Sequence, residues 1–443
     1  MLRRRIVITG LGAITPVGVG VKALVEAIRQ RRSGVRPIQG FDRSEHLSRI
    51  SGQAPPFDPS AGVRKDQARY IKKMQKVMAV DIQMGVAAAN QAVLDTGLPL
   101  GDLARNEPIL PTIDHTRFGM VFGTNFIATD LADLALPIKA SHENGSFSLE
   151  GWGSRGIPQM FPLWLLKYLP NMHTCHTGIL WDAQGPSNSL TCSDAGGLLA
   201  LDECVRILNR GVVDWMLGGG AESRVSAVTY LRHNLLNRLT KIYCDPATAC
   251  RPFDADANGT VAAEGAVILM LEGADMAEAR GARIYGEILG TGAQTTTAGV
   301  NACDPDGRAV AGAVTSALRD AGVEAKDLGV ILAHGTGLGM QDRSEAAGLA
   351  AALGDAAREV PVTATKGVTG NLAAASGVAD LAAMLVMAKD GLVPPIVNCD
   401  RAGERVRLNL VIGQPQPLRS DLVLATTNAI GGQAAAIVVR VSR

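Results

Sequence analysis

Short apolar runs alternate along the chain with Ala- and Leu-rich stretches whose apolar positions recur at helical spacing. Arg5–Gly10 (RIVITG), Phe118–Gly123 (FGMVFG), Trp215–Gly220 (WMLGGG), Ala266–Glu272 (AVILMLE), Val330–Ala333 (VILA) and Leu422–Thr427 (LVLATT) read as buried strands. Each is a continuous apolar run of strand length bounded by turn residues. Val77–Thr96, Gly196–Asn209 and Ala309–Ala321 read as helices. Alternation of this kind predicts α/β layers with mostly parallel strands.

The pattern also repeats weakly. DAGGLLALDECVRILNRGVVDWMLGGG in the first half has a counterpart in GNLAAASGVADLAAMLVMAKDGLVPPIV in the second. Each opens a helix at a special position, Asp194 or Asn371, and ends near a basic residue and glycine. Two similar halves facing each other would bring two helix N-termini to one shared site; two unrelated crossovers would look the same. The polar, turn-rich stretch Ala247–Gly259 marks the expected division, giving halves 1–255 and 256–443. Residues 140–160 read as a long surface insertion.

Composition adds constraints. The chain has 443 residues, 47% of them hydrophobic but only 4% aromatic, with 50 glycines. Its core is therefore built from small and aliphatic side chains that allow helices to lie close on a sheet. A formal net charge of +1 provides no global field for nucleic acid. Seven scattered cysteines (175, 192, 204, 244, 250, 303, 399) form no CxxC pair and no zinc spacing, the expectation for reduced thiols in a cytoplasmic protein without a metal. Gly10, Gly12 and Pro16 break the apolar run after the basic start, which reads as a strand and turn rather than a signal peptide. The longest apolar stretch, Leu372–Ala388, carries Ser376 and Asp380 and reads as a buried helix, not a membrane span. No cofactor motif is present.

Candidate chemistry concentrates in three motifs: GPSNSLTCSDAGG around Asp194, VILAHGTGLGMQDRSEA with His334 and Glu345, and TATKGVTGNLAAASG with Lys366 and Asn371. Together with the opening VITGLGAITPVG and the segment CRPFDADANGTVAAEGAVILMLE, they resemble the elongating β-ketoacyl-acyl-carrier-protein synthases of the thiolase superfamily, from residue 3 to about residue 440. The resemblance implies an αβαβα layered sandwich of two duplicated halves with mixed, mainly parallel sheets, acting as a dimer in fatty-acid or polyketide-type biosynthesis.

In that family a cysteine at a helix N-terminus takes an acyl chain from a carrier protein, and two histidines assist decarboxylation of a malonyl thioester. The helix terminus favours the thiolate. Imidazole N–H groups stabilise the enolate. By the resemblance, Asp194 stands at the nucleophile position, His334 matches the first histidine, Asn371 replaces the second, Lys366 matches the structural lysine and Glu345 its acidic companion. Asn428 and Ile430, in TTNAIGGQ, take the place of the family's Phe- and Gly-rich gate.

An acyl-aspartate would be a mixed anhydride, prone to hydrolysis. The resemblance therefore implies a non-condensing subunit, similar to the chain-length factors that pair with an active ketosynthase, as homodimer or heterodimer. The alternative is an active acyl-thioester enzyme: a malonyl decarboxylase using His334 and Asn371, or an acyltransferase working through Asp194 or Cys192. Each residue also has a plain structural reading. Asp194 and Asn371 suit helix N-caps, and Asp194 suits an ion pair with Lys366 or His334. Cys192 lies two residues before the nucleophile position and Cys250 in the inter-half linker. Arg64, Lys65, Arg69, Lys72, Lys73 and Lys76 form a basic stretch that is either a solvated helix face or a docking surface for an acidic acyl carrier protein.

Overall fold

The computed structural model describes residues 4–442 except 43, 45, 128, 243 and 244; Cys244 thus lies outside the described residues. Two repeats of the same strand and helix order account for the architecture. The first is β1 (Ile6–Thr15), α1 (Val80–Asp95), β2 (Phe118–Thr124), β3 (Ser187–Thr191), α2 (Gly196–Asn209), β4 (Trp215–Ser223) and β5 (Glu264–Gly273). The second is β6 (Gly286–Thr295), α3 (Arg308–Ala321), β7 (Val330–Leu332), β8 (Pro361–Thr363), α4 (Ser376–Met387), β9 (Leu422–Asn428) and β10 (Gln433–Val441). Strand order is β3-β2-β4-β5-β1 in one repeat and β8-β7-β9-β10-β6 in the other, joined where β1 pairs with β6.

Period-two alternation along the strands builds the layers. Phe118, Met120 and Phe122 of β2, with Ile268 and Met270 of β5, pack outward against α1. Val121, Leu269 and Leu271 face inward and share a core with α2 and α4. The second repeat packs α3 against Ile331, Leu424 and Val438. The order is therefore helix, sheet, central helices, sheet, helix, as the resemblance implied. Within α4, every residue from Ser376 to Leu385 is buried, which is why its sequence is apolar all round.

Two expectations change. Pairing is evenly mixed within each repeat rather than mainly parallel: β2 runs parallel to β3 and β4, whereas β5 runs antiparallel to β4 and β1. The second repeat copies this pattern, because the short turn 429–432 folds β9 and β10 into a hairpin. The division at 255/256 falls before β5, yet β5 completes the sheet of the first repeat, so the repeats meet between Gly273 and Gly286. The 140–160 insertion is at the surface as expected. It belongs to a longer excursion with large exposed apolar side chains, among them Leu136, Phe147, Leu149 and Leu165.

Glycine permits the central helices to approach. A Cβ on Gly220 would lie 2.3 Å from the Ala374 carbonyl oxygen, and one on Gly123 would lie 2.1 Å from the Gly196 carbonyl carbon. Gly220→Ala is expected to destabilise the protein by about 3 kcal/mol through backbone overlap. Gly153→Ala, with nothing within 4 Å of its added methyl group, should stay within about 0.5 kcal/mol of the parent. Urea denaturation of the two variants checks the difference.

Candidate functional site

Strand β3 ends at a sharp elbow. Ser193 adopts φ 52°, a left-handed conformation costly for a residue with a side chain, and Asp194 follows in a single 3-10 turn that leads into α2. The second repeat makes the same elbow at Ala373, φ 55°, before α4. The structural counterpart of Asp194 is therefore Ala374. Asn371, expected to be that counterpart, lies three residues earlier. It reaches across the repeat boundary instead: its Nδ2 donates to Asp194 Oδ1 at 2.9 Å. Its Oδ1 accepts from the Ala373 N–H at 2.9 Å, which fixes the orientation of the amide.

The Asp194 carboxylate does not cap α2. Arg224, at the end of β4, grips it from the other side, with Nη2 at 2.9 Å from Oδ2 and Nη1 at 3.2 Å from Oδ1. Arg224 Nη2 also donates to Ser193 Oγ at 2.8 Å. Its Nε donates to Glu222 Oε1 at 2.9 Å, and Glu222 Oε2 accepts the Ala374 N–H at 3.1 Å. The chain Ala374–Glu222–Arg224–Asp194–Asn371 thus crosses twice between the repeats. Burial alone would raise the Asp194 pKa. The Arg224 guanidinium, and after it His334, overcome that and hold the carboxyl well below the usual carboxylate range.

His334 Nε2 stands 3.4 Å from Asp194 Oδ1. The imidazole is fully buried, and that burial, with the nearby Lys366 charge, pushes its pKa down, so it is neutral at pH 7. Glu345 holds the backbone beneath it, accepting the His334 N–H at 2.6 Å, the Gly335 N–H at 2.8 Å and the Thr426 hydroxyl at 2.9 Å. Lys366 does not reach Asp194. It pairs with Asp380 at 3.3 Å, and the Thr365 hydroxyl bonds the same carboxylate.

The remaining candidates separate from this centre or frame its edge. Asn428 is buried at the start of the β9–β10 turn, its carbonyl accepting from Gln341 at 2.6 Å, and Ile430 is half-buried in that turn. The space between Asn428 and Cys303 is only about 10 Å³, roughly one water. Cys192 is half-buried, and burial pushes its thiol pKa up, the wrong direction for a thiolate nucleophile. Burial likewise pushes Cys250 up to about 12, beside Thr336. Arg69, Lys72 and Lys73 are exposed on the helix Lys65–Met74, and Lys76, just beyond it, lies over the Phe161 ring at 5.7 Å. Arg64 is spent on Asp66 and two backbone carbonyls.

Sequence reading passed over Arg224. The signal it left was an arginine directly after the buried run WMLGGGAES, where a charge needs a partner. Removing that partner tests its role. Arg224→Met is expected to cost about 3–5 kcal/mol by leaving Asp194 and Glu222 buried without their cation, and adding Asp194→Leu should recover only part of the loss, because Glu222 stays unpaired. Because the folded pKa of Asp194 is depressed, its contribution is complete above about pH 4, the unfolded value, and is lost as pH falls through the lower folded value. The stability gap between the parent and Asp194→Asn should therefore narrow below about pH 4 in urea titrations.

Comparison with known proteins agrees with this architecture. The profile for the beta-ketoacyl synthase N-terminal domain matches residues 3–277, and that for the C-terminal domain matches residues 285–400. A 3-oxoacyl-[acyl-carrier-protein] synthase 2 from Synechocystis sp. is 30% identical over 430 residues, covering 97% of this chain and 96% of that protein. The enzyme of the same name from Vibrio cholerae is 31% identical over 93% of this chain and 92% of its own length. Among solved structures, a beta-ketoacyl synthase from Burkholderia phymatum superposes with a TM-score of 0.84 at 25% identity, over 99% of this chain and 100% of that one. The ishigamide ketosynthase/chain length factor gives a TM-score of 0.82 at 26% identity over 100% of both chains. Two matching domains in the right order, on a duplicated five-layer fold with Asp194, His334 and Asn371 converging at the repeat boundary, place this chain in the β-ketoacyl synthase family.

Proposed function

We propose that this chain is a non-condensing, chain-length-factor-like subunit of fatty-acid or polyketide-type biosynthesis, working beside an active ketosynthase. The observation that carries the reading is that Asp194 is an internal anion. Its two oxygens are taken up by Arg224, Asn371 and Ser193, with His334 alongside. A carboxylate held that far into its ionised form by a guanidinium is a poor nucleophile. It also occupies the Asn371 donor that would otherwise meet a substrate oxygen, and its charge opposes a developing enolate. This weighs against both the acyltransferase and the decarboxylase alternatives.

The surface favours a partner. Beyond β2, the outer edge of β3 carries no strand among the described residues, and most of its side chains are exposed. An open edge is a template for pairing with another chain. The exposed apolar side chains Ile157, Phe161, Leu163 and Leu165 lie on the excursion that leads into β3. A ketosynthase-type subunit presenting its own β3 edge would cover both, and one solved relative is described as a ketosynthase/chain length factor. The basic face Arg69–Lys72–Lys73–Lys76 adjoins the same flank through the Lys76–Phe161 contact, and suits an acidic acyl carrier protein.

The deciding experiment mixes the purified chain with a carrier protein bearing a labelled acyl group and reads intact mass. No adduct is expected on Asp194, Ser193 or Cys192, while an active ketosynthase encoded beside this gene should co-purify; an adduct would make the chain an acyltransferase instead. Charge reversal at Lys72 and Lys73 should lower carrier-protein affinity at least tenfold, measured by titration at fixed salt, and unchanged affinity would remove the docking assignment.

A further inference from the structure

The short helix Ala227–Leu235, which follows β4, carries a buried histidine in its last turn. His233 is 3% exposed, yet neither Nδ1 nor Nε2 meets a hydrogen-bond partner among the described residues. A neutral imidazole always has one N–H to donate, and a buried donor is rarely left without an acceptor. A second such donor belongs to a neighbouring residue. Arg238 donates its backbone N–H to the His233 carbonyl at 3.1 Å, and its side-chain Nε is likewise buried without a partner among the described residues. Arg238 Nη2 is committed to Asn301 Oδ1, in the loop between β6 and α3.

Charge is out of balance at the same place. Arg224 is answered by Asp194 and Glu222, which together raise its pKa. Arg232 and Arg238 have no carboxylate within ion-pair distance among the described residues. For both, burial and then the field of Arg224 lower the pKa, the response of a cation short of counter-charge. His233 feels burial first and then Arg224, Arg232 and Arg238, with only Asp194 opposing, and its pKa falls to about 2. The imidazole is therefore neutral at pH 7 and stands in positive surroundings. Arg238 is half-buried and Asn301 is exposed, so solvent reaches this place past the 301–303 loop. Cys303, in that loop, lies within the field of both Arg238 and Asp194, which sets the loop beside the Asp194 centre.

We propose that His233 and Arg238 form a binding site for a small carboxylate, in which the His233 N–H and the Arg238 Nε–H each donate to one carboxylate oxygen. Arg232 adds positive charge to the same field. A neutral acceptor would meet the two donors and leave the excess charge in place. A carboxylate answers both, and hydrogen bonds to an ionised acceptor are the stronger kind. None of these residues belongs to β3 or to the excursion that leads into it, so the site is separate from the surface given to a partner subunit. The assignment does not rest on whether the chain condenses.

The test uses the full chain labelled with nitrogen-15 histidine, without carrier protein or partner, at pH 7 and constant ionic strength. Acetate, acetamide and chloride are titrated in parallel and read by NMR. The His233 ring signals, identified by their loss in His233→Gln, should move and saturate with acetate and stay in place with acetamide and chloride. Arg238→Gln should weaken acetate by at least about tenfold, the effect of losing one hydrogen bond to a charged group. Acetate that moves no His233 signal, or acetamide that moves it equally, would overturn the assignment, and both comparisons are made in the parent chain whether or not the variant folds. Undiminished acetate affinity in a folded Arg238→Gln chain would overturn it as well.

Discussion

The buried Asp194–Arg224 pair is the interaction around which the rest of this molecule is arranged. Asp194 is 3% exposed and Arg224 is 5% exposed, so neither charge is solvated. Each survives only because the other is there, and because Glu222, Ser193 and Asn371 satisfy the remaining donors and acceptors. The two repeats are tied through this network: Asn371 and the Ala374 amide belong to the second repeat, while Asp194, Glu222 and Arg224 belong to the first. The Asp194 carboxylate is thereby part of the bonding that joins the two repeats.

The duplication is symmetric in backbone and asymmetric in charge. Both elbows place a residue with a side chain at positive φ just before a central helix, and both repeats have the same strand order and the same two-parallel, two-antiparallel pairing. One elbow presents an aspartate, the other Ala374. Gly197 and Gly220 both pack against the Ala374 carbonyl, so neither of those two positions can carry a side chain. The glycine-rich, aromatic-poor composition is the same fact seen along the chain: helix termini cannot meet at this distance over bulky side chains.

Much of the framework was legible in advance, because it rests on local signals. The helix Gly196–Asn209 appears with the expected bounds, and all six expected strands are present within a few residues. Four of the ten strands gave no clear signal, one of them, Pro361–Thr363, being only three residues long. Gly286–Thr295 and Gln433–Val441 are rich in Gly and Ala in part of their length, and Ser187–Thr191 is polar because it forms an exposed edge. Strand direction was also hidden, since a buried apolar run reads the same whether its neighbour is parallel or antiparallel.

The division between sequence and tertiary structure follows from the range of the forces. Period, turn residues and motif spacing act over a few residues, so the chain by itself determined its layers, its duplication, the family it resembles and the presence of an aspartate where a thiol was expected. Partners of buried charge are chosen by three-dimensional proximity. Nothing local indicates that Lys366 turns to Asp380, that Asn371 reaches back 177 residues to Asp194, or that Arg224 supplies the counter-charge. Those choices were made only when the two repeats closed on each other and removed water from the groups between them, since desolvation leaves each charge no alternative to its nearest partner.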